Sequence, residues 1–242
     1  YYRSHFLAEM SLQNQKKELH EEYIQTEQLL NNILPTHFLY FLEAEYSNAK
    51  WKELERVHYM ERTCVLLSDI EGFTNFSRKV SSRDLLRILN LQFSRFDQIT
   101  QAHSVSKVKT IGDAYFALSI SQKRSCESHY VRDCVVVALE MIQAMKQLNE
   151  QYRWNFNIRI GVACGDAYAV ILGKSRITFD IFGLESVEYA AIMERTSKVN
   201  SVHVTEAVVR ELETVPHNFI FTPSDTLVHC PSSLPKSTIY SY

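Results

Sequence analysis

The chain has 242 residues, 45% hydrophobic and 22% charged, which is enough apolar material for a packed core and excludes a disordered or fibrous chain. A formal charge of -2 with basic residues scattered along the chain leaves no electrostatic footprint for nucleic acid, which is excluded as a partner class. Five cysteines, at 64, 126, 134, 164 and 230, are odd in number and form no CxxC pair, which argues against a disulfide framework and a zinc site and for a reducing compartment.

Residues 6–34 lack Gly and Pro, and Leu12, Lys16, Leu19, Tyr23, Thr26, Leu30 and Ile33 recur at spacings of four and three. This imperfect heptad predicts a long coiled-coil-like helix within residues 1–35, either paired in a dimer or packed on its own domain, and Pro35 ends it. No run approaches the roughly 18 apolar residues of a membrane span and no signal peptide is visible. Because the first residue is Tyr1 and not Met, a longer protein with an upstream sensor or membrane region is expected.

After a polar connector at 36–61, "TCVLLSD" at 63–69 reads as a buried strand and "IEGFTNFS" as a glycine-containing turn. Ser81 followed by Asp84 predicts a capped helix start, with Leu85, Leu89, Phe93 and Phe96 as its buried stripe. "VSKVKTIGDAYFALS" at 105–119 predicts two short strands folded about Gly112 and Asp113. A second helix is expected at 126–151, burying Val131, Val135, Ala138, Ile142 and Met145. "FNIRIGVACG" and "AYAVILG" then read as a strand pair, "ITFDIFG" as a short strand and "ESVEYAAIMERTS" as a third helix. The order β-α-β-β-α-β predicts an α+β fold with a ferredoxin-like core and additional C-terminal elements.

In such a sheet the first and third strands are central, so the end of "VLLSD" and the turn "IGDA" can meet, bringing Asp69 and Asp113 to one point. Two carboxylates forced together repel, and one keeps its proton unless a divalent cation lies between them. Magnesium takes one or two carboxylates together with substrate phosphates, and the amides of the turn at Gly72, Phe73 and Thr74 suit phosphate oxygens. The residues alone thus point to a metal-dependent nucleotide site, the alternative being two turn aspartates that never meet.

"LLSDIEGFTNFS", "LLRILNLQFSRFDQI", "VKTIGDAYFA", "IRIGVACGDAYAVILG" and "FDIFG" stand in the order and spacing of the class III nucleotidyl cyclases, a resemblance covering roughly residues 62–212. "LLNNILP" at 29–35 resembles the helix leading into the catalytic domain of membrane-attached and receptor cyclases. The resemblance implies a catalytic domain at 62–242 on the cytoplasmic side of a membrane-attached protein. Its sites lie between two cyclase domains, in a homo- or heterodimer, and convert a nucleoside triphosphate to a 3',5'-cyclic nucleotide and pyrophosphate. Asp69 and Asp113, with the Ile70 carbonyl, match the ligands of two Mg2+ or Mn2+ ions. Lys109 and Asp180 match the base-reading positions, and a lysine donor with an aspartate acceptor favours ATP over GTP.

The pattern fails further on. The family's Asn and Arg after "FDIFG" are replaced by Glu188 and Ile192 if one residue is inserted, or by Val187 and Ala191 if none is. Arg195 lies one turn beyond. The basic C-terminal stretch is replaced by "HCPSSLPKSTIYSY", with Lys236 a weak substitute. An intact metal side and a degraded transition-state side imply the metal-donating half of a heterodimeric site, adenylyl in type and needing a complementary cyclase domain. A guanylyl half-site and a catalytically silent regulatory domain are the alternatives.

Overall fold

The computed structural model describes residues 15–22, 24, 57–121, 129–172, 178–223 and 239–241. The chain divides into two units, Tyr1–Leu54 and Glu55–Tyr242. In the first, residues 15–22 and 24 are helical, with the exposed pair Lys17 and Glu21 one turn apart. The rest of the helix expected over 6–34, most of the connector and Lys236 lie outside the described residues.

The second unit is built on one mixed sheet. In chain order its elements are β1 (Val57–Ile70), the short helix α1 (Phe73–Ser77), α2 (Ser82–Ala102), β2 (Ser106–Ile111), β3 (Ala114–Ile120), α3 (Tyr130–Tyr152), β4 (Ile158–Leu172) and β5 (Thr178–Phe182). A π-helical turn at Leu184–Glu188 leads into α4 (Tyr189–Thr196), followed by β6 (Ser201–Thr205), α5 (Glu206–Leu212), β7 (Thr222–Pro223) and β8 (Ile239–Ser241). The strand order is β2-β3-β1-β4-β6-β8-β7 with β5 paired to β4. Its first four strands therefore stand as 2-3-1-4, the ferredoxin-like arrangement with β1 and β3 central. Only the β4–β6 pairing is parallel among the described strands.

Alternation decides which face each residue serves. Cys64, Leu66 and Ile70 of β1, Tyr115 and Ala117 of β3, and Ile158, Ile160 and Val162 of β4 form one core with Phe96 of α2 and Val131, Ala138 and Met141 of α3. The intervening residues face the other way, toward α4. Gly161 is the seat of that helix: a Cβ there would lie 2.2 Å from both Ala190 O and Glu194 N, so only glycine lets α4 approach.

Several elements differ from the sequence reading. β1 begins at Val57, six residues before the expected strand. Ser81 does cap α2, accepting from Asp84 N at 3.2 Å, but the fully buried stripe is Ile88, Gln92, Phe96 and Ile99, with Leu85, Leu89 and Phe93 only half-buried. The five residues expected on the buried face of α3 are all buried. The supposed pair "FNIRIGVACG" and "AYAVILG" is one continuous strand, β4, because Gly165 serves close packing against Glu185 and not a turn. The third helix opens with a π-turn in which Gly183 O accepts from both Val187 N and Glu188 N at 3.0 Å, the mark of one extra residue in the first turn. Among the described residues no helix is long and apolar enough to cross a membrane.

Candidate active site

The site begins at the C-terminal end of β1. Ser68 pairs with Tyr115, so the next residue, Asp69, reaches the turn between β2 and β3. That turn is closed by the Ile111–Ala114 pair, with Gly112 at φ 65, a left-handed conformation in which a side chain would be strained. Asp113 follows, and Ile70 N–H donates to its Oδ2 at 3.2 Å. Asp69 and Asp113 therefore come together as the sequence predicts. Burial, then a hydrogen bond with Asp69 and the Asp69 charge, push the Asp113 carboxyl up to about 7. A carboxylate pair that retains a proton at neutral pH has the donor chemistry of a hard-cation site. No group of three or more His, Cys, Asp or Glu could hold a metal alone among the described residues. A cation at this edge therefore depends on the two aspartates, a backbone oxygen such as that of Ile70, and oxygens brought by a ligand.

Gly72 (φ 70) turns the chain into α1 and caps it, its carbonyl accepting from Asn75 N and Phe76 N at 3.1 Å. The amides of Phe73 and Thr74 open that helix and lack intrahelical acceptors.

The sequence reading missed Arg159. It stands directly opposite Asp69 in the β1–β4 register, and its guanidinium donates to Asp69 Oδ2 at 2.8 Å while lying 3.0 Å from Glu194 Oε1 on α4. Its Nε is buried without a hydrogen-bond partner. Burial raises the Glu194 carboxyl pKa, and the Arg159 charge works against that rise. The available signal was a lone arginine inside the apolar strand "NIRIGV".

Lys109 and Asp180 also come together, Lys109 Nζ lying 2.6 Å from both carboxylate oxygens. They sit on β2 and β5, which are not neighbours in the sheet, so the ion pair links strands that share no ladder. A bulge at Val108 sets the aim of Lys109. Lys107 pairs with Ala117 but Lys109 pairs with Phe116, so the two lysines face opposite sides of the sheet. Lys107 instead binds Asp97 of α2 at 2.9 Å and lies over the Tyr115 ring, while Tyr115 Oη donates to Asp97 at 2.7 Å.

Glu188, the last residue of the π-turn, is exposed, and Ile192 is half-buried one turn on. Among the described residues, neither joins the aspartates through a hydrogen bond or ion pair. Arg195 is exposed, its Nε donating to Ala191 O of its own helix at 3.2 Å.

Comparison with known proteins supplies the family context. The adenylate and guanylate cyclase catalytic domain matches residues 56–230. A membrane guanylyl cyclase of Dictyostelium discoideum is 31% identical over 188 residues, covering 78% of this chain and 12% of that protein. Adenylyl cyclase X E of Drosophila melanogaster is 26% identical over 223 residues, covering 87% of this chain and 20% of that protein. The chain thus spans a fifth or less of either relative. Among solved structures, the catalytic core of a rhodopsin-guanylyl cyclase with converted specificity, in complex with ATPalphaS, superposes with a TM-score of 0.66 at 28% identity, covering 78% of this chain and 98% of that one. A guanylate cyclase domain from Catenaria anguillulae in complex with GTP gives 0.65 at 28% identity, covering 76% and 97%.

Proposed function

Because this chain belongs to the family of adenylate and guanylate cyclase catalytic domains, we propose that it forms a 3',5'-cyclic nucleotide and pyrophosphate, with ATP preferred to GTP, as the metal-donating half of a dimeric site. The observation that carries this reading is the meeting of Asp69 and Asp113 beside the Arg159 guanidinium. Two Mg2+ or Mn2+ ions held there would lower the pKa of the ribose 3'-hydroxyl and neutralise the triphosphate.

The chain's own residues do the rest. Asp69 and Asp113 hold the cation position and fix it relative to β1. Arg159, oriented by Asp69 and Glu194, puts a positive charge beside the aspartates and so beside the triphosphate they would hold. The Phe73 and Thr74 amides take a further phosphate oxygen. In the reaction the 3'-oxygen bonds to the α-phosphorus, the bond from that phosphorus to the β-phosphate oxygen breaks, and the hydroxyl proton leaves to solvent.

What the chain lacks supports the half-site reading. The π-turn favours the register with one inserted residue, so the family's Asn and Arg positions fall on Glu188 and Ile192. Neither side chain donates a hydrogen bond to a developing oxyanion, and Glu188 adds repulsion. A partner cyclase domain supplies these groups. An apolar row on β1, β4 and β5 suits such a partner: Tyr59, Tyr168 and Phe182 stand in register, and each is about half exposed. The Lys109–Asp180 pair, a donor and an acceptor 2.6 Å apart, fits the ring nitrogen and exocyclic amine of adenine; in the mixed dimer this copy of the pair lies in the second pocket, and a partner carrying the same two residues reads ATP in the productive one. By analogy with the membrane guanylyl cyclase it matches, the domain lies on the cytoplasmic side of a membrane-attached protein.

The test is cyclic nucleotide production from ATP and from GTP with Mn2+, using this chain alone and mixed with a cyclase domain that keeps Asn and Arg but lacks the metal aspartates. Activity confined to the mixture, greater with ATP, is expected. Full activity of the chain alone would overturn the half-site assignment.

A further inference from the structure

The turn from Ile70 to Phe76 is gripped by residues outside the proposed machinery. Glu71 N–H donates to Asn157 O at 2.9 Å, carrying the β1–β4 ladder one step past the Ile70–Ile158 pair. The Asn157 side chain repeats the link, Nδ2 donating to Glu71 Oε2 at 3.3 Å, while its Oδ1 accepts from Asn200 Nδ2 at 2.8 Å. Asn200 is itself pinned: its N–H donates to Ile158 O at 2.7 Å and its Oδ1 accepts from Ile158 N–H at 3.3 Å. Immediately before Asn157, Phe156 meets the Phe76 ring edge-on at 4.8 Å, and both backbone groups of Phe156 are tied to Asn149, at 2.7 and 3.0 Å. Two consecutive residues thus hold both ends of the turn.

Asn200 sits at φ 54, where glycine would serve the backbone equally well. Its amide does what glycine cannot, joining the start of β6 to Asn157 and through it to Glu71. The opposite flank of the site carries a parallel link from the same region, Glu194 to Arg159 to Asp69.

We propose that Asn157 and Asn200 form a side-chain relay that fixes the metal-holding turn against β4 and β6, making them positioning residues for the cyclase reaction. The proposal rests on the metal role assigned above to Asp69, Ile70 and Asp113. Its physical ground is tolerance: Mg2+ demands near-ideal octahedral geometry at about 2.0–2.1 Å, and Glu71 is bonded directly to Ile70, whose carbonyl is a proposed ligand. Groups that orient metal ligands typically cost at least about tenfold in metal affinity when removed.

The test measures Mn2+ binding to the chain by electron paramagnetic resonance, the Mn2+ activation constant in the mixed dimer, and the thermal midpoint, for wild type, Asn157→Ala, Asn200→Gly, Asn200→Ala and Asp69→Asn. Asn200→Gly keeps the backbone unstrained and removes the relay together with the side-chain acceptor of Ile158 N–H. It is expected to weaken Mn2+ binding and raise the activation constant about tenfold, with the maximal rate at saturating Mn2+ within about twofold of wild type. Asn157→Ala is expected to match it. Asn200→Ala adds a lower thermal midpoint from strain at positive φ. If Asn157→Ala does not fold, Asn200→Gly decides alone. Wild-type Mn2+ affinity in Asn200→Gly, with binding abolished in Asp69→Asn, overturns the relay and leaves the metal reading standing. Unchanged binding in Asp69→Asn overturns both.

Discussion

The two ends of the site are built to different standards. At the aspartate edge, Asp69 and Arg159 stand opposite each other on adjacent strands, 2.8 Å apart, and Asp113 reaches them from the β2–β3 turn, where its carboxylate accepts from Ile70 N–H. Across the fold, the segment from Gly183 to Thr196 enters through a π-turn and offers an exposed carboxylate and a half-buried isoleucine where the family pattern calls for donors. The contrast teaches that the degradation is local: α4 still packs on Gly161 and still places Glu194 against Arg159. A helix can lose its chemistry on one face and keep its structural duty on another.

The largest effect should come from the intact end. Asp113→Ala is expected to lower activity of any productive dimer by at least about 100-fold, read as product formed at saturating Mn2+, with the thermal midpoint not lowered because a raised carboxyl is removed. Retained activity would mean that the aspartate pair is not the metal site. The degraded end can be probed by repair. Glu188→Asn with Ile192→Arg should raise the activity of the chain alone by about tenfold or more, since one preorganised donor is worth on the order of 100-fold. No gain in a folded double variant would show that the π-turn directs these positions away from the substrate.

Base reading separates the two ends more finely. On the proposed half-site arrangement the partner reads the base in the productive pocket, so in the mixed dimer Lys109→Ala should change the rate by less than about twofold. A large loss would assign the productive pocket to Lys109 and Asp180 of this chain. The smallest effect concerns the anchor of α4. His203 is buried, and its Nδ1 meets Met193 O at 3.1 Å and Thr196 Oγ1 at 3.0 Å; burial lowers its pKa. The unfolded chain takes up this proton near pH 6.5 and the folded chain only at lower pH, so the contribution is present above about 6.5 and lost as pH falls through the folded value. His203→Gln should therefore flatten the fall in thermal midpoint as pH drops below about 6.5, and an unchanged slope would remove His203 from the pH dependence.

Much of this was legible in the amino-acid order. The βαββαβ core followed from strands and helices whose periods were clear, and the convergence of Asp69 and Asp113 followed from the topology they imply. The buried face of α3 was readable because Val131, Val135, Ala138, Ile142 and Met145 repeat without polar interruption. The stripe of α2 was not, because a polar residue, Gln92, occupies the buried line while Leu89 and Phe93 lie beside it, so hydrophobicity alone set the phase wrongly. β4 reads as two strands in the amino-acid order because glycine commonly marks a turn, whereas Gly161 and Gly165 exist for close approach. Arg159 was invisible for a different reason: its partners are 90 residues before it and 35 after it (159 - 69 and 194 - 159), and only the register brings them together.

The unbroken length of β4 has a mechanical consequence. Fifteen residues at about 3.3 Å each make a rod of roughly 50 Å, with Arg159 near one end and Tyr168, on the exposed apolar row, near the other. Because no turn or hinge interrupts it, a tilt imposed on the outer end, where β1 and β5 flank it, is carried along the strand to the guanidinium beside the aspartates.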